Sequence, residues 1–206
     1  YKIQMVEEQK PTIGYWGGFH GRVGGIRLQL AYQKVDYEFL AHDRESWAKT
    51  KPELNCAFPN LPYVKDGEFV LSETAAVHEY LANKYNPELV GSDAQSKGVI
   101  RMIGEQAVSA FMPAKKPFWE SGNLETLEEA LAASAKSVEA LTKYLGDKKF
   151  FAGENISWPD FWLLDLYNFV NEASRGKYFE NNANVKAWHG RMIDLPGVKE
   201  FYPEYQ

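Results

Sequence analysis

The chain has one cysteine, Cys56, among 206 residues. A single thiol excludes an internal disulfide and suits a reducing, cytoplasmic compartment. Cysteine-based zinc clusters are excluded with it. The four histidines, His20, His42, His78 and His189, show no metal-ligand spacing. Positive charge is in deficit: a net charge of −5 and a pI near 5.5 argue against nucleic acid as the main partner. No apolar run approaches the length of a membrane span. Residues 1–10 contain charged breaks and no apolar centre, unlike a signal peptide; an organellar location would require a leader removed ahead of Tyr1. The glycine-rich stretch Gly17-Gly18-Phe19-His20-Gly21-Arg22-Val23-Gly24-Gly25 lacks G-x-G-x-x-G spacing, so a dinucleotide loop is not supported. Internal repeats and low-complexity tracts are absent.

What the chain does contain is a sizeable apolar fraction, 45%, with six Trp, twelve Tyr and twelve Phe. Two textures divide it into an extension over residues 1–10, a mixed domain over 11–90 and an all-helical domain over 98–206, joined by a polar linker from Gly91 to Gly98. In the mixed domain, Thr12 to Trp16 reads as a strand, Gly25 to Tyr32 as a helix and Asp36 to Ala41 as a half-buried strand. Tyr63-Val64 and Phe69-Val70-Leu71 flank Asp66-Gly67, a strong hairpin signal. Ser72 is expected to cap a helix to Tyr85, with Ala76, Val77, Tyr80, Leu81 and Tyr85 on its inner face. The order β-α-β-loop-β-β-α predicts a small mixed sheet covered by helices. In the second domain, Leu124, Leu127, Leu131, Ser134, Val138, Leu141 and Leu145 form an amphipathic seam. Ser157-Trp158-Pro159-Asp160 is a capping box, and Phe161 to Val170 is apolar almost all round, as a buried central helix would be. A further helix from Val185 to Ile193 stops before Pro196-Gly197.

Two neighbouring features carry chemistry. In Phe58-Pro59-Asn60-Leu61-Pro62, a cis Leu61–Pro62 bond would turn the Leu61 N–H and C=O outward, free to pair with a peptide. In Ser72-Glu73-Thr74, the helix start offers unpaired backbone N–H groups and a favourable dipole to an anion. Together they describe a receptor for a small acidic peptide.

From about Ile13 to Tyr202 the chain resembles the cytosolic glutathione S-transferases, most closely the mu class. The resemblance rests on Gly14-Tyr15-Trp16, on Arg44, Trp47 and Lys51, on Asn60-Leu61-Pro62, on Glu73-Thr74, and on Phe150 to Glu154 before the capping box. It implies an α/β protein with a thioredoxin-like N-terminal domain and an all-α C-terminal domain, working as a homodimer without a metal. It implies attack of the glutathione thiolate on an apolar electrophile, with Tyr15 as hydrogen-bond donor to the sulfur. Trp47 and Lys51 would hold the glycyl carboxylate; Arg44 either joins them or pairs with an acidic neighbour. Leu61 would bind the cysteinyl backbone, with Trp16, Asn60 and Pro62 in the same site. Thr74 would take the γ-glutamyl carboxylate. Glu73 would attract the α-ammonium, or serve only as a first-turn acid. Phe111, Phe118 and Trp119 are candidates for the electrophile pocket, the alternative being core.

Three departures from the mu pattern accompany this. The glycine-rich segment is one residue longer, which is expected either to loosen Tyr15 or to make room for a larger electrophile. The acidic residue that mu-class partners supply is replaced near Ser109, and residues 1–10 are additional. Two other functions remain open at this point: a non-catalytic subunit of a larger assembly, and a glutathione-dependent isomerase of the prostaglandin synthase type.

Overall fold

A computed structural model describes residues 9–18, 20–121 and 127–205, with only the backbone at 117–121 and 204–205. Most of the 1–10 extension and Leu124 therefore lie outside the described residues. β1 (Thr12–Trp16) pairs in parallel with β2 (Glu38–His42), which it reaches through α1 (Gly24–Gln33). β3 (Tyr63–Asp66) runs antiparallel to β1, and β4 (Phe69–Ser72) completes the hairpin at Gly67. The sheet order is β2-β1-β3-β4. A parallel pair needs a crossover, whereas an Asp-Gly turn suffices for the antiparallel one.

The stretch expected to be loop contains α2 (Arg44–Thr50). No residue of α2 is buried, so no apolar periodicity announces it; instead Asp43 accepts the Ser46 N–H at 2.7 Å and Ser46 Oγ accepts the Asp43 N–H. α3 (Thr74–Tyr85) follows β4, but Ser72 does not cap it. The Ser72 hydroxyl donates instead to the Phe58 carbonyl, and Glu73 occupies the N-cap with φ 73°. The inner face of α3 is Thr74, Val77, His78, Leu81 and Ala82, with Tyr80 and Tyr85 at its margin.

The linker is shorter than its polarity suggests, because Asp93 caps a helix inside it. α4 runs Ala94–Ser121, and Asp93 accepts from the Gln95 and Ser96 N–H groups. Lys115-Lys116 sits within α4, and Lys115 pairs with Asp165 at 2.8 Å. α5 (Leu127–Leu145) buries Ser134, Val138, Leu141 and Leu145 along the expected seam. α6 (Trp158–Ala173) is the centre of the second domain, with every residue from Trp158 to Tyr167 buried. α7 (Lys177–Asn181), α8 (Ala183–Ile193) and α9 (Val198–Tyr205) complete the chain. α1 and α3 of the first domain pack on α6, closely enough that a Cβ on Gly25 would lie 2.8 Å from the Trp162 Cα.

Candidate functional site

A cavity of about 650 Å³ opens where β1 and β2 end, lined by Tyr15, Trp16, Gly21, Arg22, His42 and Arg44 among others. Tyr15 is 4% exposed. The backbone N–H of Arg22 donates to its hydroxyl oxygen at 3.0 Å. A Cβ on Gly21 would lie 2.4 Å from that oxygen, and Gly21 has φ +40°, so the segment closes on the phenol as only glycine allows. The glycine-rich segment thus packs against Tyr15 through Gly21 and Arg22. With one oxygen lone pair filled by a peptide N–H, the phenolic hydrogen is left to donate. Burial holds the Tyr15 pKa above its ordinary value, against the opposing pull of the Arg22 N–H and guanidinium. The group therefore stays a neutral donor at physiological pH.

Arg22 is a site residue that the sequence motifs did not single out. It is a cation lining the cavity, and its Nε is shielded from solvent with no hydrogen-bond partner. The one available signal was that it is the only Lys or Arg between Trp16 and Ile26.

The Leu61–Pro62 bond is cis, but the Leu61 N–H is not free. It donates to Asn60 Oδ1 at 2.9 Å, because a buried N–H turned away from a strand takes whatever acceptor is nearest. Asn60 Nδ2 in turn donates to Glu73 Oε1 at 3.3 Å. Glu73 is exposed and carries a left-handed φ, a strained geometry for a residue with a side chain. Its turn delivers Thr74 to the first position of α3, 4% exposed, with Oγ1 buried and lacking a hydrogen-bond partner. A buried hydroxyl without a partner beside unpaired helix N–H groups is a built position for an anionic ligand atom.

Trp16 and Trp47 are half-buried and meet edge to face at 6.5 Å, while Trp47 stacks on Tyr63 at 6.3 Å. Arg44 and Lys51 are exposed. The acidic neighbours that could have claimed Arg44 are engaged elsewhere: Asp43 caps α2 and Glu45 pairs with Lys49 at 2.7 Å. Arg44 is left on the cavity wall. Phe111 does not line an open pocket; it is fully buried against Trp162 at 5.6 Å, filling the core of the helical domain. Phe118 and Trp119 lie on the backbone of α4, and their side chains are outside the described residues. Ser109 is exposed on α4, its hydroxyl donating to the Glu105 carbonyl. Among the described residues no cluster of three His, Cys, Asp or Glu side chains could hold a metal.

Family comparison agrees with this architecture. The N-terminal domain model of the glutathione S-transferases matches residues 11–83, and the C-terminal domain model matches residues 100–196. A glutathione S-transferase of Tyrophagus putrescentiae is 31% identical over 203 residues, covering 96% of this chain and 91% of that protein. Glutathione S-transferase Mu 4 of Rattus norvegicus is 30% identical, with 92% and 89% covered. The fold is similar to that of the solved glutathione S-transferase of Ascaris lumbricoides, with TM-score 0.79, 22% identity, and 96% and 98% of the two chains covered. It is equally similar to rat hPGDS complexed with a quinoline, with TM-score 0.79, 20% identity, and 95% and 97% covered. Matched in both domains and along nearly its full described length, the chain belongs to the glutathione S-transferase family and is related to its mu class.

Proposed function

We propose that the protein conjugates the thiol of glutathione to apolar electrophiles. The observation that carries this is the Tyr15 hydroxyl at the cavity wall, its oxygen already occupied by the Arg22 N–H and its hydrogen therefore directed elsewhere. A free cysteine thiol has a pKa of about 8.5. Lowering it by two units requires about 2.7 kcal/mol of preferential thiolate stabilisation. One charge-assisted hydrogen bond supplies about 1.5–3 kcal/mol, which matches. The Arg22 guanidinium adds positive potential at the same place, since its charge already acts on the Tyr15 oxygen. The thiol proton leaves to solvent, the sulfur lone pair forms the S–C bond, and the displaced group departs with the old bonding pair.

In this reading the γ-glutamyl carboxylate fills the position beside Thr74 Oγ1 and the α3 N–H groups. The ammonium faces Glu73, and the glycyl carboxylate faces Arg44, Trp47 and Lys51. For the cysteinyl backbone to pair with Leu61, Asn60 Oδ1 must release the Leu61 N–H, or the carbonyl of Leu61 must carry the contact alone. Trp16 and Pro62 complete the walls. The domains are taken as 11–90 and 98–206. A homodimer in the cytoplasm fits the exposure of Phe58 (76%), Phe69 (46%) and Met102 (50%) on a chain with one cysteine. A dimer would elute at twice the 23.5 kDa chain mass.

Immobilised glutathione should retain the protein and free glutathione should elute it. The eluted protein should accelerate thioether formation with an activated aryl halide. Retention without catalysis would leave a glutathione-binding scaffold, and no retention would overturn the reading.

A further inference from the structure

His42 is not assigned by the reading above, yet it belongs to an aromatic cluster centred on Trp47 at the proposed glycyl end of the site. It is the last residue of β2, opposite Trp16 in the parallel register, and its carbonyl accepts the Gly17 N–H at 2.9 Å. The side chain is 4% exposed. Its Nε2 lies 3.2 Å from the Tyr63 hydroxyl, which fixes the plane of the imidazole. The ring meets Trp47 at 5.4 Å and 62°, and Tyr63 at 5.8 Å and 47°. Trp47 thus has Tyr63 under its face and the edges of His42 and Trp16 around it.

The helix that carries Trp47 has little else to hold it. α2 is seven residues long and buries none of them. A helix this short is marginal on its own, so tertiary contacts decide where it sits. Arg44 begins α2 and Lys51 is its C-cap, so the side chain that seats Trp47 also places both cations. A phenyl ring would fill the same space without leaving Nδ1 buried and unpartnered, as the imidazole does. What the imidazole adds is the link to Tyr63.

We propose that His42 is a positioning residue that orients Trp47, and through it α2, toward the glycyl carboxylate of glutathione. The inference rests on the proposed glutathione site. The test is steady-state kinetics of the full chain with glutathione varied, for wild type, Trp47→Phe, His42→Gln, His42→Phe and the Trp47→Phe/His42→Gln double variant. His42→Gln should raise the glutathione KM about fivefold to tenfold, with kcat within about twofold, the size of one lost aromatic contact. His42→Phe keeps the ring but not the link, and should raise KM about twofold to threefold; it also serves if the glutamine variant does not fold. The double variant should be no worse than Trp47→Phe alone, since the two act through one contact. A KM rise in Trp47→Phe with none in either His42 variant, or fully additive effects, would overturn the role of His42 while leaving the glutathione site standing. An unchanged KM in Trp47→Phe would overturn both.

Discussion

At the scale of single residues, the site divides into groups serving the sulfur and groups serving the carboxylates, and each makes a separable prediction. Tyr15→Phe removes the hydrogen presented to sulfur, together with the acceptor of the Arg22 N–H. The thiol pKa of bound glutathione should rise by about two units and turnover at pH 7 should fall about twenty-five-fold, with KM nearly constant. The sign follows from thiolate fraction: the wild-type rate should level off above about pH 7, while the variant should keep gaining rate past about pH 8.5. Stopped-flow absorbance of the bound thiolate against pH measures this directly, and coincident titrations in the two proteins would remove Tyr15 from the mechanism. Gly21→Ala tests the same hydroxyl from behind. The added methyl would lie 2.4 Å from it on a residue with positive φ, so turnover and Tm should drop together. Thr74→Val behaves in the opposite way. The hydroxyl has no partner in the protein alone, so a same-shape methyl should leave thermal stability equal or slightly higher. The glutathione KM should still rise about tenfold or more, through loss of a hydrogen bond to a carboxylate. A stability loss in Thr74→Val would mean that the hydroxyl serves the fold instead.

At the scale of elements, the clearest dependence is that of α6 on its cap. Asp160 is fully buried, and accepts from the Ser157 N–H and hydroxyl, the Phe151 N–H at 3.0 Å and Trp188 Nε1 at 3.0 Å. One carboxylate ties the loop, the helix start and α8 together. Asp160→Ala leaves several buried donors unpaired and should cost about 3–5 kcal/mol in urea unfolding, whereas Ser157→Ala should cost about 1 kcal/mol. This box was legible in the sequence because it is local, as were β1, the Asp66-Gly67 hairpin and the seam of α5. Elements without an apolar stripe, and caps that look like loop composition, were not legible. α2 has no apolar stripe to read, and its capping pair, Asp43 and Ser46, looks like ordinary loop composition. α4 begins inside a polar linker because Asp93 caps it. Within the site, Tyr15, Thr74 and the Leu61–Pro62 bend were marked by short motifs. Arg22 was missed because half of its contribution is a backbone N–H, which any residue would offer, and a single cation in a glycine-rich stretch marks no motif for the other half. Phe111 stayed open between pocket and core because both ask for the same aromatic side chain on an apolar helix face. The capture of the Leu61 N–H by Asn60 depends on a rotamer, which no residue spacing encodes.

At the scale of the whole molecule, the two domains meet across α1, α3 and α6, and one titratable group lies in the middle of that contact. His78 is completely buried, stacked between Trp158 at 5.5 Å and Trp162 at 5.8 Å. Gln29 Nε2 donates to the His78 carbonyl, so Gln29 Oε1, 2.6 Å from His78 Nδ1, accepts the imidazole hydrogen. Nε2 has no partner between the indoles, and burial pushes the pKa down to about 3. The unfolded chain titrates with the ordinary histidine value of about 6.5. Below that pH the unfolded state binds a proton that the native state refuses. Stability contributed by His78 is therefore complete above pH 6.5 and declines by about 1.4 kcal/mol per pH unit down to about pH 3, where the native group also protonates. In His78→Gln, which cannot titrate, that component of the slope should vanish even if the stability at pH 7 is lower. Urea midpoints from pH 7 to pH 4 in both proteins provide the comparison; parallel slopes would place the acid sensitivity in other groups, such as His189, whose pKa burial lowers to about 4. α3 joins this group to the site. His78 lies one turn beyond Thr74 on the same inward face, so in the folded protein the neutral imidazole keeps its stack, and holds the helix that presents Thr74, down to about pH 3. Between pH 7 and pH 4 the pH dependence of glutathione affinity should therefore run parallel in wild type and His78→Gln while their unfolding midpoints diverge; a steeper loss of affinity in wild type would mean that His78 protonates in the folded state.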